Sequence, residues 1–78
     1  MNRNDAKNVI DARGLSCPEP VVRARQAMLQ STASELTVVV SEQVSAENIQ
    51  RMATSSGWQV AIAREADEIW LLLTRPVA

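Results

Sequence analysis

The tetrapeptide Cys17-Pro18-Glu19-Pro20 restricts this chain more than any other stretch. Neither proline can donate a backbone hydrogen bond, so the stretch fits neither a central strand nor a helix interior. The regular place open to both is the first turn of a helix, whose N–H groups have no intrahelical acceptor in any case. We therefore read Cys17 as the N-cap and Pro18, Glu19 and Pro20 as the first three positions of a helix reaching about Gln30. Val21, Ala24 and Met28 then recur at helical spacing, with Val22 and Leu29 on the flank and Arg23, Gln26 and Gln30 opposite. Arg25 falls between Val21 and Leu29, where it either lays its stem along the apolar stripe or faces a partner.

The remaining elements follow from periodicity around this helix. Behind a polar tail of residues 1–7, "NVIDA" reads as a short strand, and "RGLS" as a turn for which Gly14 supplies backbone freedom. "STASE" is a polar break before the β-branched run "LTVVVS", a strand covered on at least one face. A second helix is expected with Ser45 at its N-cap, Glu47 in its first turn, Ile49, Met52 and Ala53 on its buried stripe, and Gly57 just past its end. "WQVAIA" alternates with Trp58, Val60 and Ile62 on one face, "READE" turns, and "IWLLLT" returns with Ile69, Leu71 and Leu73 opposite Trp70 and Leu72. The order β-α-β-α-β-β, over a single domain of residues 8–78, predicts an α/β (α+β) two-layer sandwich with both helices on one sheet face. The other face, carrying Gln59, Ala61 and Ala63 with either Trp70 and Leu72 or their neighbours, stays uncovered, apolar enough to suggest self-association without requiring it, so a monomer or a weak homodimer is expected.

Composition narrows the function. A chain of 78 residues has room for one small core, burying roughly 60–65% of the surface its unfolded form exposes. Its only aromatic residues are Trp58 and Trp70, so that core is aliphatic. A net charge of −1 lacks the basic excess that neutralising phosphates requires, which argues against direct nucleic-acid binding. "IWLLL" is too short to span a membrane, and the N-terminal residues do not read as a signal peptide, so the expected compartment is a reducing cytoplasm. With one cysteine and no histidine, an intrachain disulfide, a Cys/His metal site and an in-chain Cys–His pair are all excluded. No cofactor is implied.

Cys17 is therefore the candidate reactive group. At a helix start its sulfur sits at the positive end of the helix dipole, which favours thiolate, the nucleophilic form. The N–H of Glu19 is the main helix donor left to it, and Arg13 adds positive charge nearby, while the Glu19 carboxylate opposes; moderate activation is expected. Without a base, a second thiol or a metal, acyl hydrolysis and dithiol cycling are poorly served. A lone exposed thiolate can, however, accept a sulfane sulfur from a persulfide and pass it on.

The stretch "DARGLSCPEPVVRARQAM" closely resembles the signature of the TusA/SirA family of small sulfur-carrier proteins, whose hallmark is Cys-Pro-x-Pro at the start of the first helix. The matching residues include Asp11, Arg13, Gly14, Leu15, Cys17, Pro18, Glu19, Pro20, Val21 and Arg25. The resemblance implies a mixed four-stranded sheet of order 1-2-4-3 and a sulfurtransferase role as persulfide carrier. Cys17 would take sulfur from a cysteine desulfurase or other persulfide donor and hand it to a downstream acceptor protein, in one branch toward tRNA thiolation. Pro18 and Pro20 inherit the helix-start role, Arg13, Gly14, Leu15 and Glu19 complete the motif, and Arg25 matches a basic position suited to partner docking. Beyond the second strand, "SEQVSAEN" replaces the acidic stretch typical of TusA itself, and Val44, Glu47, Asn48, Ile49 and Gly57 are more similar to YedF-like domains, which are associated with selenium metabolism.

A rival reading makes Cys17 a buried turn residue of a non-enzymatic interaction module that works through its uncovered sheet face. "SAEN" reads as helix capping and Glu65, Asp67 and Glu68 as a solvated hairpin tip.

Overall fold

The computed structural model describes residues 9–76; the tail expected over residues 1–7 lies outside them. Along the chain run β1 (Val9–Asp11), α1 (Glu19–Gln30), β2 (Glu35–Val40), α2 (Gln43–Ser55), β3 (Gln59–Glu65) and β4 (Glu68–Thr74). The sheet order is β1-β2-β4-β3, with β1 parallel to β2 and the other two pairings antiparallel. Both the element order and the mixed 1-2-4-3 sheet agree with the sequence reading.

The alternation of strand residues decides which face is covered. Leu36, Val38 and Val40 of β2 stand opposite Leu73, Leu71 and Ile69 of β4, and all six are buried. From β3, Val60 lines up with Leu73 and Ile62 with Leu71 on the same face. Against this aliphatic floor α1 packs Ala24 and Met28, and α2 packs Ala46, Ile49 and Ala53. Alanines at three of these contacts leave no bulky side chain to hold the helices off the sheet. Met52 is half-buried at the edge of the α2 stripe, and Leu29 on the α1 flank is exposed.

The helix starts differ from expectation by a small number of residues. The N-cap of α1 is Pro18, Glu19 is its first residue and Pro20 its second, so Cys17 stands one residue outside the cap. The N-cap of α2 is Glu42, in extended conformation, and Ser45 is buried within the first turn with no partner for its hydroxyl among the described residues. The pairing of Val40 with Ile69 holds β2 in the sheet to its last residue, and α2 begins three positions later. That leaves no length for a loop reaching Ser45. Glu47 accordingly lies beyond the first turn.

The α2 C-terminus follows the expected pattern. Gly57, at φ +89°, donates to the Thr54 carbonyl, and Trp58 N–H reaches back to Ala53. This is a Schellman closure, and it turns Trp58 into the core. Arg75 closes the corresponding end of α1. Its guanidinium donates to the carbonyls of Ser31 (2.7 Å) and Ala33 (3.1 Å) and stacks 4.5 Å from the Trp58 ring centre. The uncovered face bears exposed Ala61, Ala63 and Leu72 and half-buried Trp70.

Candidate functional site

Because β1 and β2 are parallel and each runs into a helix, both helix N-termini open at the same end of the sheet. The segment from Ala12 to Pro18 crosses that end. Ala12 anchors it, almost fully buried, with its N–H on the Val39 carbonyl at 2.9 Å. Gly14 takes φ +77°, a left-handed backbone, and donates to the Ser41 hydroxyl at 3.1 Å, tying the segment to the end of β2. Nothing lies within 4 Å of where a Cβ would stand on Gly14, so the backbone angle is what requires glycine there. Leu15 packs against the core edge. The Cys17–Pro18 peptide is cis.

Cys17 emerges from this frame as an exposed free thiol. Its exposure removes the reading of Cys17 as a buried turn residue. Pro18 and Pro20 offer no N–H, and the Glu19 N–H, expected to serve the sulfur, instead closes a turn onto the Ser16 carbonyl at 2.9 Å. The donor at the sulfur comes from the neighbouring helix: Asn48 Nδ2 lies 3.8 Å from Cys17 Sγ, within reach for the larger sulfur atom. Arg51, one turn further along α2, donates to Asn48 Oδ1 at 3.2 Å.

The other residues of the motif have separate tasks. Arg13 lies outside the sulfur's shell: it grips Asp11 through Nε (2.9 Å) and Nη2 (2.8 Å) and also pairs with Glu68. These bonds raise its own pKa and hold Asp11 at about 2, through the side-chain bond first and then the Arg13 backbone N–H. A guanidinium so engaged bridges the end of β1 to the start of β4 and supplies no free charge to the thiol. Glu19 is exposed and pairs with Arg23 at 3.6 Å across one helical turn. Pro20 is buried beneath the first turn of α1. Arg25 is exposed on the outer side of α1 and forms no ion pair among the described residues.

Of the residues singled out in the sequence, Gly14, Leu15, Pro18 and Pro20 thus build the support for Cys17. Asn48, Arg51 and Ser41 were not expected at the site. The spacing of Asn48 and Arg51 on one helix face was visible, but nothing local links them to a cysteine 31 residues away. Among the described residues no group of three His, Cys, Asp or Glu side chains could hold a metal ion, and no helix is long and apolar enough to cross a membrane. Two surface depressions, one along α2 and one beside the hairpin tip, count Arg51 and Ser41 respectively among their lining residues, and neither is lined by Cys17.

Comparison with known proteins matches this arrangement. The family model described as Sulfurtransferase TusA aligns with residues 8–75. A protein of Methanocaldococcus jannaschii described as a candidate sulfur carrier is 33% identical over 63 residues, covering 80% of this chain and 84% of its own. One of the same description from Archaeoglobus fulgidus is 44% identical over 39 residues, about half of each chain (50% and 51%). The crystal structure of a SirA-like protein from Desulfitobacterium hafniense superposes with a TM-score of 0.79 at 30% identity, over 88% of this chain and 97% of that one. With the signature, the strand order and nearly the whole length in agreement, the chain belongs to the TusA family of sulfurtransferases, small proteins of the sulfur-carrier type.

Proposed function

We propose that Cys17 carries one sulfane sulfur as a persulfide, taking it from a persulfide donor such as a cysteine desulfurase and passing it to the thiol of an acceptor protein. The observation that carries this reading is the exposed free thiol on a proline-braced helix start. A sulfur standing in the open at the end of the sheet is accessible to the active site of another protein, which protein-to-protein transfer requires. Arg25, exposed two helical turns from the cap, provides a charged contact for a docking partner. The destination is a sulfur relay of the kind that feeds tRNA thiolation, cofactor synthesis or sulfur metabolism, in the cytoplasm.

Incubating the protein with a cysteine desulfurase and cysteine is expected to add the mass of one sulfur atom. The adduct disappears on reduction and does not form in Cys17→Ser. Absence of any adduct across the desulfurases of the source organism would sink the proposal, and a selenium adduct formed in preference to sulfur would redirect it.

A further inference from the structure

The hydrogen bond from Asn48 to the sulfur gives a task to a residue that persulfide carriage alone leaves unassigned. In loading, the Cys17 thiolate attacks the outer sulfur of a donor persulfide, R–S–SH. The Sγ–S bond forms, the donor's S–S bond breaks, and the electron pair leaves on the donor's inner sulfur as R–S⁻. In unloading, an acceptor thiolate attacks that same outer sulfur, the bond to Sγ breaks and the pair returns to Sγ as thiolate. Cys17 is therefore the nucleophile in one step and the leaving group in the other. Stabilising a sulfur anion speeds its departure and damps its attack, so a donor at Sγ favours unloading.

Two independent observations assign that donor. The start of α1 offers the sulfur little from its backbone: residues 18 and 20 are prolines and the Glu19 N–H is committed to Ser16. The orientation of the Asn48 amide is also dictated, because arginine can only donate. Arg51 Nη1 at 3.2 Å requires Oδ1 to face it, which turns Nδ2 toward Cys17. We propose that Asn48 stabilises Cys17 Sγ as the leaving thiolate during sulfur delivery, with Arg51 as the positioning residue that sets its amide. The delivery half rests on the persulfide reading above; the contact between amide and sulfur does not.

The test uses the full chain, loaded chemically with polysulfide, freed of excess reagent, and unloaded with cyanide. Cyanide attacks the outer sulfur and departs as thiocyanate, leaving the electron pair on Cys17. Asn48→Leu is expected to slow thiocyanate release about three- to tenfold, the effect of losing one hydrogen bond of ordinary net strength to a sulfur only partly charged in the transition state, while loading changes less than about twofold. Arg51→Met should lose part of the rate and Arg51→Lys, which keeps a donor, should recover it; a purely structural role would not follow that order. If wild type and Asn48→Leu unload at the same rate, the Asn48 assignment is overturned and the carrier reading stands. If wild type takes up no sulfur, the carrier reading falls and the delivery role falls with it.

Discussion

Arg13 sits four residues before the reactive thiol, yet its charge is committed elsewhere. Its side chain and backbone N–H together make three hydrogen bonds to Asp11, and a further bond reaches Glu68 at the foot of β4. The effect is local order at the point where β1 ends and the site loop begins. Both partners of the Arg13–Asp11 pair are well exposed, so screening by solvent keeps its contribution to stability small. Its signature is the titration of Asp11. The folded value is depressed from 3.8 to about 2, so whatever the pair contributes is present above the unfolded value and lost as pH falls through the folded one. An NMR titration of the carboxyl carbons is expected to find Asp11 with a midpoint near 2, and Arg13→Gln should return it toward about 3.9. A parent midpoint already at the ordinary value would show that the pair does not form in solution.

At the scale of elements, the β3–β4 hairpin is as short as any connection in the fold. Glu65 still pairs with Glu68, so the turn is only Ala66 and Asp67, with Ala66 at φ +52°. A left-handed alanine costs about 1–2 kcal/mol relative to relaxed backbone, a cost glycine largely avoids. Ala66→Gly is therefore expected to stabilise the protein by about 0.5–1 kcal/mol, after allowing for the greater freedom of the unfolded glycine chain. Urea melts of the two proteins measure this, and a lower midpoint in the variant would mean that the turn is not left-handed at Ala66. The sequence reading placed this turn within "READE" but could not trim it, because strand pairing to the last residue depends on the partner strand. The same limit applies to the helices. The prolines located α1 to within a residue, since missing N–H groups are a local property. Whether the Glu19 N–H would turn to Ser16 or to sulfur depends on how the loop from Ala12 is anchored on β2. Ser45 is a good capping residue by type, but the short path from Val40 back over the sheet puts the N-cap of α2 at Glu42 and leaves Ser45 inside the first turn. Gly57 was legible because its Schellman closure involves only residues 53–58.

At the scale of the whole molecule, reactivity sits at one end of the sandwich and stability in the layer between helices and sheet. A domain of 78 residues is held folded by a margin of only about 4–12 kcal/mol. That margin rests on the aliphatic layer between helices and sheet, where Leu71 is fully buried opposite Val38 on one side and Ile62 on the other. Truncating such a residue leaves a cavity that close packing cannot fill, so Leu71→Ala should cost about 2–5 kcal/mol. For a domain of this size that lowers the melting temperature by about 8 °C or more. Cys17, exposed and outside the core cluster, contributes little of this margin. Cys17→Ser should accordingly melt within about 4 °C of the parent, the shift expected for about 0.5 kcal/mol or less, while losing all sulfur uptake. Thermal melts of the three proteins together with intact-mass analysis after desulfurase treatment decide the point. A large loss of stability in Cys17→Ser would restore the structural role that exposure argues against. A small loss of stability with complete loss of uptake is what a sulfur held apart from the core requires, because transfer must proceed without disturbing the packing that positions it.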